Sequence, residues 1–270
     1  MKYVITVLTV GLIFAGCGYK EKQADVSPSP FESSYETYSR VLESFVKEGL
    51  VDYRGLKDSR ADLDSFIGQL AGLTMKEYDS LGGSEQLAMW INAYNAITLR
   101  IVIDAYPVAS INHIEGAFDD KAWQVAGKTV TLDNIRDDII RSEFYDVRVF
   151  FALHSASAGS PSLFRVPFRG RAIDDQLDSA AYAFVNDVDR NTINPHNNTI
   201  TTSEIFRRYA EDFKDEYDTD DFDYLERPER AVLSFIFTYA DDSVQEFIDE
   251  TAEWTIEYRP FDWSLNDVRR

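Results

Sequence analysis

The chain has 270 residues, a formal net charge of −20 and a single cysteine. Its 44% hydrophobic and 14% aromatic content is typical of a globular protein and excludes a disordered chain. The negative charge argues against nucleic acid and anionic lipid as partners. It suits either a saline habitat, where salt screens the repulsion, or cationic ligands and divalent ions. One cysteine also excludes a disulfide within the chain.

The first sixteen residues have the layout of a secretory signal peptide. Lys2 precedes an apolar run from Tyr3 to Phe14, and two small residues come directly before Cys17. The run is shorter than the roughly 20 apolar residues that a membrane span needs. Phe-Ala-Gly-Cys resembles the lipobox of bacterial lipoproteins, which implies that Cys17 is acylated. We therefore predict a lipoprotein signal at 1–16 and an exported protein, anchored by lipid to the bacterial cell envelope and facing the periplasm or the exterior.

A polar, Pro- and Ser-bearing segment follows the cysteine and predicts a tether over residues 17–30. The rest, 31–270, is predicted to form a single domain. It opens with two amphipathic helices, roughly Phe31–Lys47 and Arg60–Leu70.

The segment Ser84–Pro107 predicts one long central helix, with Ser84 as N-cap and Pro107 as the stop. Apolar side chains cover most of its circumference, so protein must surround it on all sides. Asn92 and Asn95 lie three residues apart and need hydrogen-bond partners if they are buried. They form either a polar clamp on a neighbouring segment or the floor of a binding or catalytic cleft.

Short β segments follow the central helix. Trp123–Ala126 and Thr129–Leu132 flank a two-residue turn, which predicts a hairpin. A helix through Ile135, Ile139 and Ile140 comes next. The apolar run Val147–Leu153 predicts a buried central strand.

The last third alternates helices with a second predicted hairpin. Residues 172–188 are amphipathic, residues 192–194 and 199–201 bracket a turn, and Ser203 begins a helix. The acidic stretch 211–226 is read as a solvated connector pinned by aromatic residues, since its spacing does not match a calcium loop. The predicted fold class is α+β, mostly helical, with the long central helix packed on a small, mainly antiparallel sheet.

Few residues offer chemistry. The three histidines, including His154, are not at metal-ligand spacings, so we predict no metal and no cofactor. His154 and Ser155 are neighbours and would point to opposite faces of a continuing strand, which makes them a poor nucleophile–base pair. Ser160 is a further hydroxyl in the same loop.

The order of several segments resembles the bacterial family catalogued as domain of unknown function 547 (DUF547). The resemblance runs from about Val51 to Asn266 and rests on MWINAYNAITLRIVIDAYPVASI, TVTLDNIRDDIIR, VRVFFALHSASAGSPSL and PFDWSLN. Family members commonly carry cysteines where this chain has Ser155 and Ser160, and many carry a histidine where it has Asp137. The resemblance implies a cysteine-peptidase-like or transglutaminase-like arrangement, and both halves of its Cys–His pair are replaced here.

Two hypotheses follow from this. In the first, the protein is a non-catalytic envelope lipoprotein that keeps the family cleft to bind a peptide, a glycan or another envelope protein. In the second, it is a hydrolase or acyl-transferase whose nucleophile is Ser155 or Ser160, with His154 as base and Asp262 or Asp137 as orienter. A His154–serine separation near hydrogen-bond distance would favour the enzyme. We favour the binder.

We expect residues 154–163 to lie beside Asn92 or Asn95 and beside residues 262–266 in one shared pocket. The small residues of this loop would let another backbone approach closely. The predicted pocket consists of Trp90, Asn92, Tyr94, Asn95, Pro161, Asp262, Trp263 and Asn266.

Overall fold

The computed structural model describes residue 31, residues 35–246, residue 248 and residues 252–269. The predicted signal peptide, Cys17 and the tether over 17–30 lie outside these residues. Within the described ranges, no helix combines the length and the apolar character needed to cross a membrane.

Eleven α-helices and seven short strands occur in the described part of the chain. The helices are α1 (Tyr35–Phe45), α2 (Tyr53–Asp58), α3 (Ala61–Gly72), α4 (Met75–Asp79), α5 (Gly83–Ala105), α6 (Ser142–Phe144), α7 (Ile173–Val185), α8 (Glu204–Arg208), α9 (Lys214–Tyr217), α10 (Arg227–Tyr239) and α11 (Asp242–Gln245). The strands are β1 (Val46–Lys47), β2 (Leu50–Val51), β3 (Trp123–Val125), β4 (Lys128–Val130), β5 (Thr192–Asn194), β6 (Thr199–Ser203) and β7 (Thr255–Arg259). A π-helix (Asn134–Arg141) and four 3₁₀ helices, Ile111–His113, Val147–Phe151, Gly170–Ala172 and Ala210–Phe213, complete the elements.

The predicted central helix is confirmed as α5. Every side chain from Leu87 to Leu99 is buried. The N-cap is Gly82 and not Ser84, because the carboxylate of Glu85 accepts the Gly82 N–H at 2.9 Å and lets the helix begin two residues earlier. The main neighbours of α5 are α2, α3, α7, the π-helix and the 3₁₀ helix Gly170–Ala172. This helix is therefore enclosed chiefly by other helices.

The strands form three separate small sheets. Two are the antiparallel pairs β1–β2 and β3–β4, and the third has the order β5-β6-β7, with β7 parallel to β6. Both predicted hairpins are confirmed, with Trp123 opposite Val130 and Thr192 opposite Thr201. The α+β class is confirmed, although the strands do not join into the one sheet that we expected.

The predicted central strand Val147–Leu153 is wrong, because residues 147–151 form a 3₁₀ helix. The Asp146 carboxylate starts this turn by accepting the Arg148 N–H at 2.9 Å. Phe151 then packs its ring against Phe184 and Phe235, at centroid distances of 4.9 and 5.2 Å. A short apolar run signals burial, but it does not distinguish a strand from a buried helical turn.

The acidic connector is pinned as predicted. Phe213 and Phe222 are buried, and the Asp218 carboxylate binds both Arg227 and Arg230 at 2.7 Å. These contacts hold the connector against the start of α10.

Candidate functional site

Residues 154–163 form a loop whose first turn is held by the central helix. The Asn95 amide donates to the Ala152 carbonyl at 2.9 Å and accepts the His154 N–H at 2.8 Å. Asn95 is 2% exposed, so both bonds lie in the core. This is the polar clamp of the two alternatives, and it fixes the point at which the loop begins.

Asn92 makes a second clamp of the same kind. Its amide donates to the Phe168 carbonyl at 2.8 Å and accepts the Phe168 N–H at 2.9 Å. Trp90, also buried, donates its indole N–H to the Tyr78 hydroxyl at 2.9 Å. Asn95 thus holds the start of the loop, whereas Asn92 holds Phe168 and Trp90 binds Tyr78. The two cavities described next are lined by other residues.

The C-terminal segment pairs with the loop, as we expected. Ala158 N–H donates to the Ser264 carbonyl and Gly159 N–H to the Asp262 carbonyl, each at 2.8 Å. A Cβ atom on Gly159 would lie 2.7 Å from the Asp262 nitrogen, so the backbones approach closer than any larger residue allows. Asn266 extends this contact to the N-terminal hairpin by donating to the Gly49 carbonyl at 3.0 Å.

A cleft of about 440 Å³ opens between the loop, the turn after α7 and the C-terminal segment. Its volume is within the range of small-molecule sites, roughly 300–1,000 Å³. Four carboxylates, two guanidinium groups and several hydroxyls line it. The lining residues are Glu48, Gly49, Leu50, His154, Ser157, Ala158, Gly159, Ser160, Ser162, Asp187, Asp189, Arg190, Ser203, Arg259, Pro260, Phe261, Asp262 and Asn266.

His154 lies 3.0 Å from the Ser160 hydroxyl, measured from Nδ1 to Oγ. This separation meets the distance that we set for the enzyme. However, Nδ1 also lies 2.8 Å from the Pro161 carbonyl oxygen, which can only accept a hydrogen bond, so Nδ1 carries the proton. The Ser160 hydroxyl donates to the Ser157 carbonyl at 2.6 Å. The serine proton therefore points away from the imidazole, and this nitrogen is not its base.

Burial lowers the pKa of His154 to about 4 from an ordinary value of 6.5. The positive charge of Arg190 lowers the pKa further, while the Pro161 carbonyl and the nearby Asn266 side chain oppose the shift. The ring is therefore neutral near pH 7. Because Nδ1 holds the proton, Nε2 presents a lone pair.

Nε2 of His154 is buried and has no hydrogen-bond partner among the described residues. The neighbouring Asn266 amide accepts the Tyr53 hydroxyl at 2.6 Å with its oxygen and donates to the Gly49 carbonyl at 3.0 Å with its nitrogen. Nε of Arg190 is likewise buried and unpartnered within the described part of the chain. Both residues line the cleft, but these two atoms are buried beneath its surface.

Arg190 is a residue that sequence reasoning missed. Its guanidinium donates to the Ala158 and Ser160 carbonyls, each at 2.9 Å, and pairs with Asp187. It reaches the loop from thirty residues further along the chain. The charged sequence Asp187-Val188-Asp189-Arg190 directly after an amphipathic helix is the only local signal, and it reads equally well as a solvated turn.

Ser155 faces a second, much smaller cavity of about 50 Å³. The ionisable residues that line it are Tyr94, Arg136, Arg208 and Tyr209, and burial raises the pKa of Tyr94 to about 12. No imidazole or carboxylate lines this cavity, so it holds no general base for Ser155. Pro161 and Trp263, two of the predicted pocket residues, also line it.

The two predicted orienting carboxylates do not contact His154. Asp137 lies on the π-helix, binds Arg136 at 2.6 Å and faces a separate acidic groove near Glu211 and Glu216. Asp262 lines the cleft, and its carboxylate accepts the Ser264 N–H at 2.9 Å. The acceptor that orients the imidazole is the Pro161 carbonyl, which carries no charge.

The described residues contain no group of three or more His, Cys, Asp and Glu side chains placed to hold a metal ion.

Residues 78–185 match the family model DUF547, described as a protein of unknown function. This match supports a DUF547 domain in that part of the chain. Comparison with curated proteins found no match, and neither did comparison with solved structures. The DUF547 match covers α5, the π-helix, the loop and α7, whereas the cleft also takes Arg190, Asp262 and Asn266 from beyond it.

Proposed function

We propose that this chain is a lipid-anchored protein of the cell envelope whose cleft binds a ligand without serine chemistry. The observation that carries the proposal is the direction of the hydrogen bonds at Ser160. Its hydroxyl donates to the Ser157 carbonyl, and His154 donates from Nδ1 to Pro161. A serine nucleophile needs its proton directed at a basic lone pair, and this arrangement directs it at a carbonyl.

The construction of the cleft supports binding. One wall is fixed to the central helix through Asn95, and the other is paired with it through Gly159 and the C-terminal segment. Arg190 ties the wall after α7 to the loop by two further bonds. A ligand entering a site held in this way loses little free energy to ordering of the protein.

The anchoring part of the proposal rests on the sequence before the domain. The apolar run ends on Cys17, the only cysteine, directly after two small residues. The resemblance to a lipobox and the absence of another cysteine both support acylation at this position.

The alternative is acyl transfer or hydrolysis through a loop serine, in a cysteine-peptidase-like arrangement. Its support is the 3.0 Å separation between Ser160 and His154. It would require the imidazole to move its proton from Nδ1 to Nε2, which would set the Nδ1 lone pair against the Pro161 carbonyl oxygen at 2.8 Å. The repulsion between these two acceptors disfavours that state.

A serine-directed fluorophosphonate probe distinguishes the two functions. We expect no labelling of Ser155 or Ser160 when the native protein is incubated with the probe and analysed by peptide mass spectrometry. A known serine hydrolase in the same reaction controls for probe reactivity. A single modified serine within 154–163, absent after heat denaturation and abolished by Ser160→Ala or Ser155→Ala, would overturn the proposal in favour of the enzyme.

A further inference from the structure

The small cavity beside Ser155 differs in charge from the molecule as a whole. Its charged lining residues are Arg136 and Arg208, and no carboxylate is among the described residues that line it. The whole chain has 47 acidic residues against 27 basic ones. A cavity whose charged lining is entirely cationic is an exception in such a chain, and its local charge favours an anionic group.

Arg208 supplies the free positive charge of this cavity. It is exposed at the end of α8 and makes no hydrogen bond or ion pair with another described residue. The preceding residue, Arg207, pairs with Glu204 at 2.7 Å and does not line the cavity. A guanidinium group without a partner can bind a carboxylate through two parallel N–H···O bonds. Arg208 is therefore available to pair with an anion at this place.

Arg136 presents a second guanidinium group. It donates to the Asp137 carboxylate from Nε at 3.0 Å and from Nη2 at 2.6 Å, and Nη2 also pairs with Asp133 at 2.9 Å. Neither carboxylate lines the cavity. Nη1 hydrogen-bonds neither of them, and the charge of Arg136 acts on the hydroxyls of Tyr94 and Tyr209, which line the same space. Because its charge is largely balanced, Arg136 contributes a hydrogen-bond donor and leaves the ion pair to Arg208.

The two phenol hydroxyls add further donors. Tyr94 is 2% exposed and Tyr209 is 9% exposed, and neither hydroxyl donates to another described residue. The Tyr209 ring is fixed by stacking on Phe150, with the centroids 3.9 Å apart. Burial raises the pKa of both hydroxyls, that of Tyr94 to about 12, so both keep their protons near pH 7. A hydroxyl in so buried a residue needs an acceptor for its proton.

The size of the cavity limits which group can enter. One water molecule needs roughly 10–15 Å³ by this measure, so about 50 Å³ admits only a group of a few atoms, such as a carboxylate. The remainder of a ligand would lie at the aromatic part of the lining. There the half-buried ring of Trp263 packs against Phe118 and Phe261, at centroid distances of 6.1 and 4.4 Å. Such rings provide apolar surface for the body of the ligand.

From these contacts we infer that the cavity beside Ser155 binds the carboxylate of an organic acid that has an apolar or aromatic body. Arg208 forms the ion pair, while Nη1 of Arg136 and the hydroxyls of Tyr94 and Tyr209 donate to the carboxylate oxygens. The site is separate from the 440 Å³ cleft, although Ser160 and Phe261 line both spaces. The inference therefore goes beyond the proposed function and does not depend on it.

The experiment is a fluorine NMR titration of the protein with para-fluorobenzoate. The neutral probe para-fluorobenzamide has nearly the same shape and lacks the charge. We expect the acid to bind the wild type and the amide to bind at least about tenfold more weakly, because only the acid can form the charged hydrogen bonds.

Two arginine variants locate the site. Arg208→Gln removes the free charge from the cavity, and Arg207→Gln removes the same charge from a neighbouring side chain that does not line it. The first variant is expected to weaken binding of the acid by about fivefold or more, and the second by less than about twofold, since a screened surface charge has little effect. Both side chains are exposed, so both variants are expected to fold. Tyr94→Phe keeps the buried ring, deletes one donor and is expected to weaken binding by about threefold.

The same titrations can overturn the inference. Equal binding of acid and amide would show an apolar pocket without a carboxylate site. Equal losses in Arg208→Gln and Arg207→Gln would reduce the effect to net charge and place the acid elsewhere. Inorganic phosphate that displaces para-fluorobenzoate more strongly than acetate does would exclude a carboxylate as the ligand class. Absence of binding by para-fluorobenzoate would also refute the site, and the proposed function of the cleft is tested separately by fluorophosphonate labelling.

Discussion

At the scale of single residues, the two ring nitrogens of His154 have different environments. Nδ1 holds the loop closed through Pro161, and Nε2 is buried without a hydrogen-bond partner among the described residues. The Ser160 hydroxyl lies 3.0 Å from the imidazole. However, the Ser157 carbonyl accepts its proton, which therefore points away from the ring. Proximity of a serine and a histidine is therefore not evidence of a catalytic pair without the direction of the hydrogen.

The buried imidazole makes stability depend on pH. The unfolded histidine titrates near 6.5 and the folded one at about 4, so the unfolded chain binds the extra proton between these values. The contribution is complete above pH 6.5 and is lost as the pH falls to 4, by about 3 kcal/mol in total. We expect urea denaturation at pH 7, 5.5 and 4 to show this loss for the wild type beyond that of His154→Asn. Parallel losses in the two proteins would show that His154 titrates normally in the fold.

At the scale of elements, α5 organises the fold because both its apolar surface and its amides are used. Its apolar side chains meet helices on several sides, and Asn92 and Asn95 each bind a separate backbone segment. The amides fix the positions of two chain segments whose apolar side chains alone would allow several packings. The helix is thus both core and template for the loop.

Trp90 tests this view of the helix. The indole is fully buried and donates to Tyr78, so Trp90→Ala should lower the free energy of unfolding by about 3–5 kcal/mol by leaving a cavity. Val188→Ala is the control, because that side chain is 79% exposed and its loss should change stability by less than about 0.5 kcal/mol. Chemical denaturation monitored by circular dichroism measures both. A Trp90→Ala protein as stable as the control would refute the central position of α5.

The sequence predicts α5, both hairpins and the contact between the loop and residues 262–266 because each leaves a local pattern or a demand for hydrogen bonds. It does not predict the 3₁₀ turn at Val147, since burial alone leaves the backbone conformation open. The predicted strand also does not account for the contact between the His154 ring and the Ser160 hydroxyl. Ala156 takes a positive φ of 57° there, which bends the chain back on itself, so residues 154 and 155 do not belong to a continuing strand.

Arg190 illustrates a further limit. Its bonds to the Ala158 and Ser160 carbonyls join segments about thirty residues apart. The sequence of the intervening helix contains no pattern that predicts these bonds. The clamp residues could be predicted because buried amides demand partners. Arg190 and the other charged residues of the turn after α7 could not, because exposed charges in a turn make no such demand.

At the scale of the whole molecule, the acidic surface and the predicted anchor belong together. A chain with a net charge of −20 is repelled by anionic lipid headgroups, so charge would not hold it at a membrane. Attachment would depend on covalent lipid, which inserts by burying its acyl chains.

Cys17→Ser tests the anchor. We expect the wild type to incorporate labelled palmitate and to sediment with membranes, and the variant to lose both properties, because the serine offers no thiol for acylation. The measurement is fluorography and membrane fractionation of cells that express each protein. A wild type that is soluble and unlabelled would refute the lipoprotein prediction.

The pairing of the C-terminal segment with two distant parts of the chain also sets an order of assembly. Val51 N–H donates to the Asn266 carbonyl at 2.9 Å, and Ala158 N–H donates to the Ser264 carbonyl at 2.8 Å. A chain that emerges from the ribosome or from an export channel presents its N-terminal end first, so β2 and the loop must wait for their last partners. The core helices need only nearby residues and can pack earlier. The cleft is consequently completed only after residues 262–267 have emerged, because Asp262 and Asn266 line it.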